Sequence, residues 1–267
     1  MNSIDIENLQ YAKNLLENPG LAIKITNYVG MPIEKGLELL PKDWNVKIGA
    51  MTQRALLKAS EAAIFTIKDF PGVEPSNNWH KFSVALTGGV AGFFGLAALA
   101  LELPISTTIM LRSIAEIARS QGESLNDIQT KMACLEVFAL GGKNKDDDSS
   151  ESGYFIVRSI LAKSVSEASE FLLSRTLTEE GAPFLIKFVS SISQRFGIQI
   201  TEKAAAQALP IIGAIGGATI NTIFIDHFQT MAKGHFIVRR LEREYGKEIV
   251  RNKYESLSTN SKVNINI

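Results

Sequence analysis

Nineteen consecutive positions without a charge, Ser83 to Leu101, constrain this chain more than any other stretch. They sit inside FSVALTGGVAGFFGLAALALELPISTTIMLRSIAEIARSQGE, residues Phe82 to Glu123, which carries Gly88, Gly89, Gly92 and Gly95 and then meets Glu102 and Pro104. Beyond the proline it continues as an amphipathic helix with Arg112, Glu116 and Arg119. Its uncharged length is close to the roughly 20 residues that span a bilayer. Gly, Ala, Ser and Thr fill at least half of it, however, which lowers its transfer energy below that of a Leu-rich span. The run therefore reads as a buried or membrane-surface helix, or a helical hairpin. Each glycine in a helix interior costs up to about 1 kcal/mol relative to alanine, and close backbone approach is the usual compensation. Gly88 and Gly92 have the small-xxx-small spacing that permits it.

A related arrangement returns near the other end, where Gly213, Gly216 and Gly217 precede Asp226, His227, His235 and Arg239. Sliding the sequence by 124 residues sets Gly89 on Gly213, Gly92 on Gly216, Arg119 on Arg243 and Gly122 on Gly246, with Glu102 opposite Asp226. Both a pseudo-duplicated unit and a coincidence of glycine-rich composition fit those matches.

The rest of the chain follows helical periods broken by Pro and Gly. Residues Ile4 to Leu16 form a helix that stops before Pro19, and a short helix runs to Tyr28. Pro32 begins another short helix, and from Pro41 a long helix reaches to about Phe70. Ser124 with Asp127 resembles a helix cap with an acid at the third helical position. Gly141 and Gly142 stop that helix, and the polar KNKDDDSSES follows as a surface loop. A helix from Tyr154 to about Leu177, one ending at Gly197, an element capped by Thr201 and a last helix from about Phe228 to Tyr245 complete the series. No alternating strand pattern appears. The fold is expected to be an all-α multi-helix bundle with two glycine-rich apolar helical segments or hairpins. Residues 1–40 read as an N-terminal helical extension, 41–257 as the helical domain with halves 41–142 and 153–257, and 258–267 as a disordered tail.

With 28 basic and 28 acidic side chains the formal net charge is zero, so no whole-molecule field gathers nucleic acid. The single cysteine, Cys134, excludes an internal disulfide framework and suits a reducing compartment; its apolar neighbours make it a small buried hydrophobe. The N-terminus has neither the basic nor the apolar region of a signal peptide, so a cytoplasmic location is expected, peripheral on the inner face of the membrane if the glycine-rich runs meet lipid.

Catalytic signatures are missing from the sequence. His-Glu-x-x-His, G-x-S-x-G, Walker and dinucleotide fingerprints do not occur. His227 and His235 are eight residues apart, about 12 Å along a helix, too far for one zinc. A metal would have to recruit Glu116, Glu136 or Asp226 across helices, and no metal or cofactor is expected. Ser106, Thr107 and Thr108 follow Pro104 and read as capping or beginning a helix. Arg112, Glu116 and Arg119 form either a surface ladder or a buried polar network with Glu102, Asp226, Arg158 and Arg239. The three aspartates of the polar loop read as solvated.

Four segments, ELPISTTIMLRSIAEIARSQGE from Glu102, ACLEVFALGG from Ala133, SGYFIVRSILAKSVSEA from Ser152 and INTIFIDHFQTMAKGHFIVRRLEREYG from Ile220, resemble the EcsC family of bacterial proteins. The resemblance spans roughly residues 40 to 250, including the glycine-rich lead-ins. That family takes its name from a gene beside those of an ABC-type exporter, and the resemblance implies no activity, cofactor or active-site residue. A non-enzymatic accessory protein, attached to a membrane surface or membrane protein complex through its glycine-rich segments, is the leading expectation. The rival is a hydrolase using a buried cluster of Glu102, Glu116, Glu136, Asp226, His227 and His235. Self-association through the small-xxx-small faces is a third.

Overall fold

The structure, a computed structural model, describes residues 1–17, 20–66, 95–142, 153–174, 182–209 and 213–258. Within them the chain is all-α, and no strand occurs among the described residues. The helices are α1 (Ser3–Glu17), α2 (Leu21–Val29), α3 (Glu34–Glu38), α4 (Trp44–Thr66), α5 (Gly95–Ser120), α6 (Ile128–Glu136), α7 (Gly153–Ser174), α8 (Ala182–Ala208), α9 (Gly213–Tyr245) and α10 (Lys247–Ser256); a 3₁₀ turn, Val137–Ala139, extends α6. Gly88, Gly89 and Gly92, the three aspartates Asp146 to Asp148 and Pro210 lie outside the described residues. None of the described helices is long and apolar enough to cross a membrane.

The 33-residue α9 is the axis. It packs against α1, α5, α8 and α2, and α10 folds back beside it, while α4 lies along both α5 and α8. Where α9 meets α8 and the 3₁₀ turn, the fully buried rings of Phe138, Phe196, Phe224 and Phe228 meet with centroids 4.8 to 6.2 Å apart. Burying one large apolar side chain contributes roughly 1.5–3 kcal/mol, so this cluster outweighs the propensity of any single residue around it.

That weight explains where expected boundaries moved. Gly197 does not end a helix and Thr201 does not cap one: α8 runs through both, with Phe196 and Ile200 buried on its inner face and the Thr201 hydroxyl donating to the Gly197 carbonyl. Pro104 lies inside α5. Ser106 and Thr108 therefore neither cap nor start a helix; their hydroxyls donate to the carbonyls of Leu103 and Pro104, one turn earlier. Asp127, not Ser124, caps α6, accepting from the Gln129 N–H. The chain also continues past Gly246 into α10, pinned by buried Val250 and Tyr254 one turn apart, and Lys13 of α1 donates to the Tyr254 carbonyl.

Gly36 marks the tightest backbone crossing. A Cβ there would stand 2.1 Å from the carbonyl oxygen of Ala205 in α8, and backbone cannot step aside as a side chain can. Gly36→Ala is therefore expected to lose about 1–3 kcal/mol of stability, the usual cost of overpacking, read as a lower urea midpoint at unchanged slope. An unchanged midpoint would contradict the close approach of α3 and α8.

Candidate functional site

Polar groups concentrate on the second half of α9, where His235, Arg239, Glu242 and Arg243 follow at helical spacing. The end of α5 supplies the first partner. Gly122 takes a left-handed backbone, φ 79°, and the Glu123 N–H reaches back to the Ala118 carbonyl, a Schellman closure. That turn sends Glu123 inward. Its carboxylate accepts from Arg239 at 2.9 Å, from Arg243 and from the Thr130 hydroxyl. Burial alone would push the Glu123 carboxyl up; the hydrogen bonds and charges of Arg239 and Arg243 overcome it and hold the group below the usual carboxylate range.

The second partner comes from α7. Arg158 grips Glu242 with both arms, at 2.7 and 3.0 Å, and its Nη1 also donates to the Tyr154 hydroxyl at 3.3 Å. The same hydroxyl lies 3.1 Å from His235 Nδ1, with donor and acceptor set by the ring's tautomer. His235 Nε2 faces the Glu136 carboxylate at 3.9 Å. Burial, reinforced by Arg158 and Arg239, holds the His235 pKa well below its ordinary value. Burial also pushes the Glu136 carboxyl up, to about 7, against the attraction of Arg158 and Arg239.

Glu136 opens into a cleft of about 530 Å³ between α7 and the ends of α6, α9 and α10. Arg158, Glu242 and Arg239 line its base, and Phe155, Lys247 and Arg251 its wall and mouth. Arg158 and Arg251 both lie over the Phe155 ring, at 5.8 and 5.6 Å from its centroid. Such an arrangement can hold a small polar ligand and exchange a proton with it at Glu136.

The structure brings together Arg158, Arg239, His235 and Glu136 of the residues singled out from sequence. It places the others elsewhere. Glu102 accepts from the buried Lys203 at 2.6 Å, an α5–α8 tie, and that ammonium lies 5.0 Å from the Phe224 ring centroid. Asp226 is exposed, so it shares no interior with Glu102. Arg112 is exposed and Glu116 half-buried on α5. His227 is buried two turns before His235, 3.5 Å from Gln199, and burial with a smaller push from Lys24 takes its pKa down to about 3. Gly95 and Gly213 open α5 and α9, with Gly216 and Gly217 in the first turn and a half of α9. Among the described residues no three His, Cys, Asp or Glu side chains are placed to share a metal ion. Cys134 is buried, which pushes its thiol up. Sequence reasoning missed Glu123, Tyr154 and Glu242. Only the Tyr154–Arg158 spacing of one turn signalled any of them.

The raised Glu136 carboxyl has a stability consequence. Relative to its ordinary value of 4.5, the native state keeps a proton that the unfolded chain has released. The stabilisation is complete below pH 4.5 and is lost as pH rises through about 7. The advantage of the parent over Glu136→Gln in unfolding free energy should therefore fall by roughly 1.4 kcal/mol per pH unit across that window. His227 and His235 oppose this trend, but equally in both proteins. Urea unfolding of the pair across the window reads the difference directly; a flat difference would contradict the burial of Glu136.

No curated protein and no solved structure matches the chain. The sequence model of the EcsC protein family matches residues 31–241, which takes in α3 to α8, nearly all of α9 and the polar groups Glu123, Glu136, Arg158, His235 and Arg239. With most of its length inside that match, the chain belongs to the EcsC protein family.

Proposed function

We propose that this chain is a non-enzymatic accessory protein that attaches peripherally to the cytoplasmic face of a membrane, or to a membrane protein complex there, through its glycine-rich apolar run. What carries this reading is the uncharged sequence Ser83–Leu101, which leads directly into α5. Leu86, Phe93, Phe94 and Leu96 give that run enough apolar weight to favour a lipid or protein surface, at about 0.8 kcal/mol per buried CH₂. Its glycines and alanines keep it slim enough to lie close against a partner. Exposed apolar side chains on the described helices add to this reading: Ile105 of α5 is 51% exposed and Val46 of α4 is 78% exposed. The charges at the other end of α5 are taken up in ion pairs between helices, Glu123 with Arg239 and Arg243 among them, and so serve to hold the bundle.

Cell fractionation tests it. The full chain should sediment with membranes and be released by carbonate, whereas Gly92→Asp, which sets a charge in the middle of the run, should shift to the soluble fraction. A parent protein found wholly in the soluble fraction would remove the membrane reading.

A further inference from the structure

At the base of the cleft the charges do not close. Arg158 spends both arms on Glu242, and Arg239 donates twice to Glu123, through Nε at 2.9 Å and Nη2 at 3.3 Å. Glu136 is left as a buried carboxylate with no hydrogen-bonded cation among the described residues; the guanidiniums of Arg158 and Arg239 act on it only through space, and the neutral ring of His235 lies 3.9 Å away. It is only 6% exposed, and what exposure it has is to the cleft. Behind the same lining, Ser169 Oγ is buried with no hydrogen-bond partner, and so is His235 Nε2. A buried polar atom without a partner costs roughly 1–3 kcal/mol, a cost that a bound polar ligand removes.

We infer that the cleft is a binding site for a small protonated amine, whose ammonium group docks on Glu136. An anion is the poorer fit, because the guanidiniums that would receive it already hold carboxylates. The rim adds two further acids, Glu170 and Glu248, which favour a second ammonium on the same ligand, and the 530 Å³ volume holds an aliphatic diamine of a few carbons. Ala162 and Val165 of α7 supply apolar wall for its methylenes. Lys247 and Arg251 stand at the mouth and oppose a cation there; Arg251 is paired with Glu255. The site is independent of membrane attachment and involves no bond-making step.

Proton linkage gives the site a signature. The groups that face Glu136 are Arg158 and Tyr154 from α7, His235, Arg239 and Glu242 from α9, and Lys247 from α10. Glu136 changes charge near neutrality, since its carboxyl stands at about 7, while burial and the surrounding guanidiniums keep His235 neutral. Docking an ammonium therefore releases a proton from Glu136 at neutral pH and none at pH well above it.

The probe is 1,4-diaminobutane, with butyrate and 1-butanol as the anionic and uncharged controls, titrated calorimetrically into the purified full chain. At neutral pH, binding heats measured in two buffers of different ionisation enthalpy should show proton release; butyrate and butanol should give no binding. Glu136→Gln should weaken binding by roughly tenfold or more and abolish the proton release, while Glu248→Gln at the rim should weaken it less and keep the release. If Glu136→Gln does not fold, Glu136→Asp, which retains the charge one methylene further back, should weaken binding and keep the release. No binding by the diamine, binding unchanged by substitution of Glu136, or preferential binding of butyrate would each overturn the assignment. Membrane fractionation is unaffected by any of these outcomes, so failure here leaves that separate proposal standing.

Discussion

A helix that carries charge on its buried face cannot choose its neighbours freely, and α9 is such a helix. Its aromatic half, with Phe224 and Phe228, is satisfied by any apolar surface of suitable shape. Its polar half is not. Arg239 and Glu242 are largely withdrawn from water, and each requires an opposite charge delivered at a defined point by a different helix. Glu123 arrives from the end of α5 and Arg158 from α7. Removing one partner of a buried pair costs about 3–5 kcal/mol, because the other is left buried and alone. The ion pairs thus fix which helix stands where, while the phenylalanines supply most of the driving force.

The same constraint produces the cleft. Once Arg158 is turned toward Glu242 and Arg239 toward Glu123, neither guanidinium is left to close on Glu136. The carboxylate also lies at the C-terminal end of α6, where the helix dipole disfavours negative charge. Desolvation and the dipole act in one direction, against the attraction of Arg158 and Arg239, and a proton is retained to near neutrality.

Much of this bundle was legible in the sequence, and the limits follow a pattern. Helical periodicity and the lack of strand alternation gave the all-α class, and α1 and α7 fell where their spacing placed them. Boundaries at Pro104, Gly197 and Thr201 moved because tertiary burial on the inner faces of α5 and α8 outweighs a local preference of about 1–3 kcal/mol. The short α10 escaped notice although Val250 and Tyr254 stand one turn apart, since two apolar residues in a polar stretch make a weak period. For the site, spacing within one helix paired His235 with Arg239 but could not say which residues of other helices face them. Glu123 and Glu242 meet their arginines across 116 and 84 residues of chain, a relation that no single-helix pattern contains. Nor could spacing separate Glu102, tied to Lys203, from the exposed Asp226.

The central claim is that Glu136 is a buried carboxylate whose neighbouring guanidiniums, Arg158 and Arg239, are engaged elsewhere. Its own titration is the most direct measurement. In protein labelled with ¹³C at the glutamate carboxyl carbon, the resonance missing from Glu136→Gln identifies the group, and its shift is followed against pH. The account predicts a midpoint near 7, set by desolvation. A midpoint at the ordinary 4.5 would show Glu136 to be solvated or directly paired with a cation, and would contradict it.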